Sequence, residues 1–124
     1  MPVLEMYNKA RDRFPEVTGL ADKEHLRNWG EPDPEFAYSW FESLANAINK
    51  QMVKGTSPQE YTGVFQFLSS EYSEGDSEAR NCIDVAFTEN LFWQVSPEQA
   101  APYWSMLPAN LKDLYIGFHR KPPL

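Results

Sequence analysis

The sequence predicts an all-α protein: a single-domain antiparallel helical bundle, or a short stack of helical hairpins, with about five to seven helices. Three observations predict it. Apolar residues recur at three- and four-residue steps in three consecutive stretches. Each stretch follows a helix-start signal. The turns joining them are only two to four residues long, which suits antiparallel neighbours. The chain has 124 residues, enough for one core but not two. Its 42% apolar and 15% aromatic content is too high for intrinsic disorder.

The elements follow in chain order. Residues 3–13 read as a helix with Val3, Leu4 and Tyr7 inward, ended by Phe14-Pro15. Asp22 is the expected cap of a short helix holding Leu26 and Trp29, before a loop at Gly30-Glu31-Pro32. The clearest helix is 34–54, with Asp33 as N-cap and Pro34 at the first position. Phe36, Trp40, Leu44, Ala47, Ile48 and Met52 form its apolar arc, while Ser39, Glu42, Ser43, Asn46, Asn49 and Lys50 fill the other side. Gly55 can end it in a left-handed conformation.

Ser57-Pro58-Gln59-Glu60 reads as a capping box opening a helix over 58–73. Tyr61, Val64, Phe65, Phe67, Leu68 and Tyr72 face inward there, with Thr62, Gln66, Ser69 and Ser70 on the wet side. Gly75-Asp76 breaks the chain, and Asp76 caps a third helix over 77–94. Its broad arc of Ile83, Ala86, Phe87, Leu91 and Trp93, extended by Val85 and Phe92, predicts contact with more than one neighbour. Ser96-Pro97-Glu98-Gln99 opens a short helix through Met106, which Pro102 either kinks or splits. Leu107-Pro108 precedes a last helix over 109–118 bearing Leu111, Leu114, Tyr115 and Phe118, and 119–124 read as a tail.

The net charge of −7 is unevenly spread. Residues 55–98 hold eight acids (Glu60, Glu71, Glu74, Asp76, Glu78, Asp84, Glu89 and Glu98) against one base, Arg80. Such a field disfavours nucleic acid and anionic membranes and favours a basic partner; it also serves simple solubility. No stretch approaches the roughly 18 apolar residues of a membrane span, and the amino terminus lacks a signal-peptide pattern. The expected address is the cytoplasm and the expected state a monomer.

Chemistry-bearing motifs are missing. Cys82 has no second thiol to pair with and falls on an apolar arc, where it reads as a small buried hydrophobe. His25, in an expected surface helix, and His119, beside the tail, have no His or Cys at ligand spacing. The six glycines form no phosphate loop. No metal site, no cofactor and no catalytic residue is therefore expected.

Three polar residues stand out because they fall at or inside apolar arcs: Glu71, Glu89 and Asn90. A carboxylate there needs a cation or several hydrogen bonds. One reading is structural, with a Trp N–H, a Tyr hydroxyl, Arg80 or a backbone amide as partner. Another places them in a binding groove. A third pairs Glu71 with Glu89 as general acid and base, which would require a shared cleft.

Phe67-Leu68-Ser69-Ser70-Glu71, then Gly75-Asp76, then Asn81-Cys82-Ile83-Asp84-Val85-Ala86-Phe87-Thr88-Glu89-Asn90-Leu91 resembles a family of small helical bacterial proteins. Its members carry a leucine–glutamate helix, a glycine–aspartate turn and an Asn-x-Ile-x-Val-x-Phe-x-Glu-x-Leu helix. The likeness spans about 35–118, including Met106-Leu107-Pro108. It singles out Glu71, Gly75, Asp76, Asn81, Val85, Phe87, Glu89 and Leu91, mostly as turn, cap and core. Asn90-Leu91-Phe92-Trp93 is bulkier than that pattern. Several members of the family look like immunity proteins of contact-dependent or other polymorphic toxin systems. The resemblance implies a protein that binds and neutralises a cognate toxin domain, with no enzymatic role. On that reading the partner is a basic nuclease. Glu60, Glu74, Asp76, Glu78 and Asp84 are the expected contacts, with Tyr72 and Trp104 as exposed aromatic anchors. A regulatory or adaptor domain binding some other protein would carry the same signature.

Overall fold

Phe14-Pro15 divides the amino-terminal segment into two helices, as expected, because proline pushes the residue before it out of the α region. Helix α1 (Pro2–Arg13) stops one residue earlier, and α2 (Pro15–Trp29) opens on the proline. The computed structural model describes residues 2–30 and 36–124. The expected cap Asp33, the first-turn Pro34 and most of the loop at Gly30-Glu31-Pro32 lie outside the described residues. After them come α3 (Ala37–Lys54), α4 (Thr62–Glu74), α5 (Ser77–Asn81), α6 (Pro97–Met106) and α7 (Ala109–His119). Among the described residues there are seven α-helices and no strand.

Local signals decide several junctions. Gly55, at φ 80°, closes α3 in the left-handed region and donates its N–H to α3 carbonyls. Asp76 caps α5 by accepting from the Ala79 N–H at 3.0 Å. Ser96 and Gln99 form the full reciprocal capping box of α6, at 3.2 and 3.4 Å. Helix α6 runs unbroken through Pro102. Ser57 does not cap as expected. The Glu60 N–H already bonds the Ser57 carbonyl in a 3-10 turn (Pro58–Tyr61), and the Ser57 hydroxyl turns to the Gln59 side chain.

Helix α3 is the centre of the molecule. Trp40, Phe41, Leu44, Ala45, Ile48 and Met52 are buried, but so are Ser43 and Asn49, which the sequence places on a wet side. Burial on more than one side means several neighbours: α3 packs against α1, α2, α6 and the stretch 82–90 that follows α5. Phe36, expected on the inner arc, is half exposed. At about 1.5–3 kcal/mol per large apolar side chain, this one helix supplies much of the stabilisation. Tyr38 meets Asn81 at one end of α3, and Asn49 meets Asn90 at the other. Helix α3 and the segment after Gly75 therefore run in the same direction, as an up–down–up arrangement with α4 requires.

Two faces depart from expectation. Asp22 caps nothing. It lies inside α2, where its carboxylate takes two hydrogen bonds from Arg11 (2.8 and 3.0 Å) and one from the Trp40 indole (2.8 Å). Burial pushes the Asp22 carboxyl up, but these bonds together hold it below its ordinary value. The inward face of α2 is accordingly Val17, Thr18, Ala21 and His25, while Leu26 and Trp29 are more than half exposed. His25, expected at the surface, is fully buried.

The third long helix is not uniform. Beyond α5 the chain widens into a π-helical stretch (Cys82–Phe87), then tightens into a 3-10 turn (Thr88–Asn90) and ends. The wider hydrogen bonding shifts the phase. Cys82, Ile83, Ala86, Phe87 and Thr88 face the core, while Val85, expected to extend the arc, is exposed. Burial pushes the Cys82 thiol up to about 12, which leaves it unreactive. At the carboxyl end, α7 takes in His119 instead of leaving it in the tail, and Phe118 is exposed.

Candidate functional site

The turn between α4 and α5 gathers most of the expected acidic contacts. Gly75 is required there sterically: its N–H bonds the Glu71 carbonyl at 2.8 Å, and a Cβ on it would stand 2.3 Å from that same oxygen. Asp76 follows as the cap. Glu74, Asp76 and Glu78 thus crowd into five residues, all exposed. Glu5 and Lys9 of α1 face Glu71, Glu74 and Asp76 across a shallow groove of about 330 Å³.

Few cations balance this corner. The Lys9 ammonium lies 3.5 Å from Glu71, half exposed, which makes a weak pair. Arg80 is occupied elsewhere. It donates to the carbonyls of Tyr72 (3.0 Å) and Ser73 (3.3 Å) at the end of α4 and lies 5.7 Å from the Tyr72 ring centre. Among the described residues Glu74, Asp76 and Glu78 form no ion pair.

The other expected contacts lie apart. Glu60 borders a separate groove of about 740 Å³ with Arg13 and Glu16. Asp84 is half buried near Glu89; burial raises both carboxyls, and Asp84 raises Glu89 further against the opposing pull of His119. Tyr72 and Trp104 are not the exposed anchors expected. Tyr72 sits half buried under Arg80, and Trp104 packs on Phe92 and Tyr115 with Lys112 over its ring. The exposed aromatics are instead Trp29, Phe36, Trp93 and Phe118.

Glu71 and Glu89 do not face one cleft. Glu71 borders the grooves that contain Lys9 and Glu74, and Glu89 lines neither of them. The Glu89 backbone carbonyl lies 3.1 Å from the His119 Nε2, and that ring stacks on Tyr115. Among the described residues no group of three His, Cys, Asp or Glu could hold a metal ion. No helix among them is long and apolar enough to cross a membrane.

Asn90 is hydrogen-bonded within the fold. Its amide donates to the Ala86 carbonyl (2.8 Å), and its own carbonyl accepts from the Asn49 side chain (2.9 Å). Asn49 also accepts from the Phe92 N–H at 2.7 Å. One buried amide on α3 thereby fixes the chain just past the helix end. There Phe92 (φ 70°) and Gln94 (φ 56°) hold left-handed conformations without being glycine. Phe92 is drawn into the core against Trp104 and Tyr115, and Trp93, expected inward, stands 62% exposed. Sequence patterning missed Trp93 because it carried the helix on to 94, whereas the helix stops at Asn90. The unusual bulk of Asn90-Leu91-Phe92-Trp93 was the signal for it.

A family model described as a domain of unknown function, DUF7674, matches residues 7–121. No curated protein and no solved structure matches the chain.

Proposed function

We propose, for a chain that belongs to the DUF7674 family and so takes no activity from it, that this domain is an immunity-type binding protein: it captures a basic toxin domain, a nuclease by preference, in the cytoplasm of the cell that makes it. The observation that carries the reading is the corner at Gly75. Glu71, Glu74 and Asp76 converge with Glu5 on one groove, and among the described residues the only cation paired there is Lys9. Exposed carboxylates held without counter-charges attract a basic surface over a long range and raise the rate of encounter. Their rigid placement by a glycine turn and a helix cap lowers the ordering cost of binding. Docking would cover the toxin's catalytic face or a surface beside it.

The test is co-expression with the product of the neighbouring gene. The expected result is a one-to-one complex and protection of the cell from that product. Absence of both sinks the immunity reading. The corner is tested separately with Glu74→Lys, Asp76→Asn and Glu78→Lys combined, since asparagine keeps the cap while removing the charge. Association at low salt should slow by about tenfold or more. A complex that forms at the wild-type rate would move the interface elsewhere on the domain.

A further inference from the structure

We infer that the groove beside Trp93 binds a short acidic peptide segment of a partner protein. The groove, of about 470 Å³, lies between the carboxyl-terminal halves of α2 and α3 and the loop after Asn90. That volume is in the range of ligand and peptide pockets. Its apolar wall is Val53 and Trp93, both more than half exposed.

Charge selects the occupant. Among the described residues Arg27, Lys50 and Lys54 line the groove against a single carboxylate, Glu24, which Lys50 already engages at 2.7 Å. Arg27 and Lys54 form no ion pair among the described residues. Among the described lining residues, three cations less one acid leave an excess of two positive charges on a protein whose net charge is −7. Helix dipoles explain why cations sit near the ends of α2 and α3. They do not explain an indole left in water beside them. Two left-handed non-glycine residues, Phe92 and Gln94, flank Trp93, and a buried asparagine, 5% exposed, fixes the backbone just before it. Strain of this kind persists where the surrounding structure over-determines it, and it concentrates at binding sites.

A polyanion such as nucleic acid would feel the eight acids of residues 55–98. A segment with two or three carboxylates meets the local cations instead. The exposed side-chain amides of Asn28 and Gln94 each offer a donor and an acceptor, which suits an extended peptide backbone. Trp93 supplies a stacking surface for one apolar side chain. This site is independent of the Gly75 corner, because the two share no lining residue.

The experiment titrates the folded domain with a capped peptide, Glu-Asp-Leu-Phe-Asp-Glu, and follows the Trp93 indole N–H by NMR, assigned with Trp93→Phe. The controls are the same peptide with amides in place of carboxylates, and hexathymidylate. The acidic peptide should shift the Trp93 signal and the side-chain amides of Asn28 and Gln94. Arg27→Glu with Lys54→Glu should weaken binding by about tenfold, and the amide peptide should bind less tightly by a similar factor. If the double reversal fails to fold, the salt dependence of the wild-type shift replaces it, and binding should weaken as salt rises. No shift at millimolar acidic peptide, equal shifts from either control, or indifference to charge and salt would overturn the inference.

Discussion

The Gly75 corner and the Trp93 loop each lie just past a helix end and each display groups to solvent, but they are built on different scales. At Gly75 the bonds that shape the turn are short in sequence: Gly75 to Glu71, Ala79 to Asp76, Arg80 to Tyr72 and Ser73; only the weak Lys9–Glu71 pair among the described residues reaches in from α1. The Trp93 loop has no glycine and no cap of its own. It is held by Asn49, 41 residues before Asn90 and 43 before Phe92. A corner coded locally survives changes elsewhere in the fold. A loop held from another helix fails when its anchor does.

Asn49→Ala should therefore have the largest effect, about 3 kcal/mol of lost stability, because it strands the buried Phe92 N–H. Urea unfolding measures the loss, and the Trp93 indole signal should broaden while the Gly75 corner keeps its native shifts. Equal disturbance of both regions would erase the contrast. Gly75→Ala should cost about 2 kcal/mol, since its Cβ meets the Glu71 backbone oxygen; Trp93 should not respond.

His25 sets a baseline outside both regions. Burial lowers its pKa below 6.5, against a raising pull from Asp22, and neither ring nitrogen finds a hydrogen-bond partner among the described residues. The unfolded chain then binds a proton more readily than the folded one, so stability is full above about 6.5 and falls as the pH drops through the window beneath it. His25→Leu should remove that loss and stabilise the protein by about 1 kcal/mol at neutral pH; denaturation at a series of pH values reads both. Asp76→Ala should cost about 1 kcal/mol through the lost cap, visible as a lower Tm. Lys9→Ala should change stability by less than about 0.5 kcal/mol, because its pair with Glu71 is half exposed. A larger effect would mean the corner is more tightly balanced than its geometry implies.

Much of this architecture was legible in advance where the signal spans a few residues. The α1–α2 break, the left-handed Gly55, the Asp76 cap and the Ser96 box each rest on neighbours close in sequence. The candidate corner was half legible for the same reason: Glu74, Asp76 and Glu78 stand together because the chain turns there, whereas nothing local revealed that Glu5 and Lys9 join them or that Glu60 does not. Ser57 departs from its local signal, since its own carbonyl took the Glu60 N–H that its hydroxyl was expected to cap.

Most helix positions and the all-α class follow from the chain by itself, because propensity, capping and apolar periodicity act within a turn or two; the exceptions are α2, which opens at Pro15 and not after Asp22, and the third long helix, which stops at Asn90. The inward face of α4 was legible in its apolar arc, but the faces of α2, the polar side of α3 and the stretch after Asn90 were decided only by the assembled neighbours. Arg11 and Trp40 drew Asp22 inward and set the phase of α2. Partners on several sides buried Ser43 and Asn49. Asn49 then dictated that Phe92 goes in and Trp93 stays out. Those choices depend on groups ten to forty residues apart, whose meeting no local pattern records.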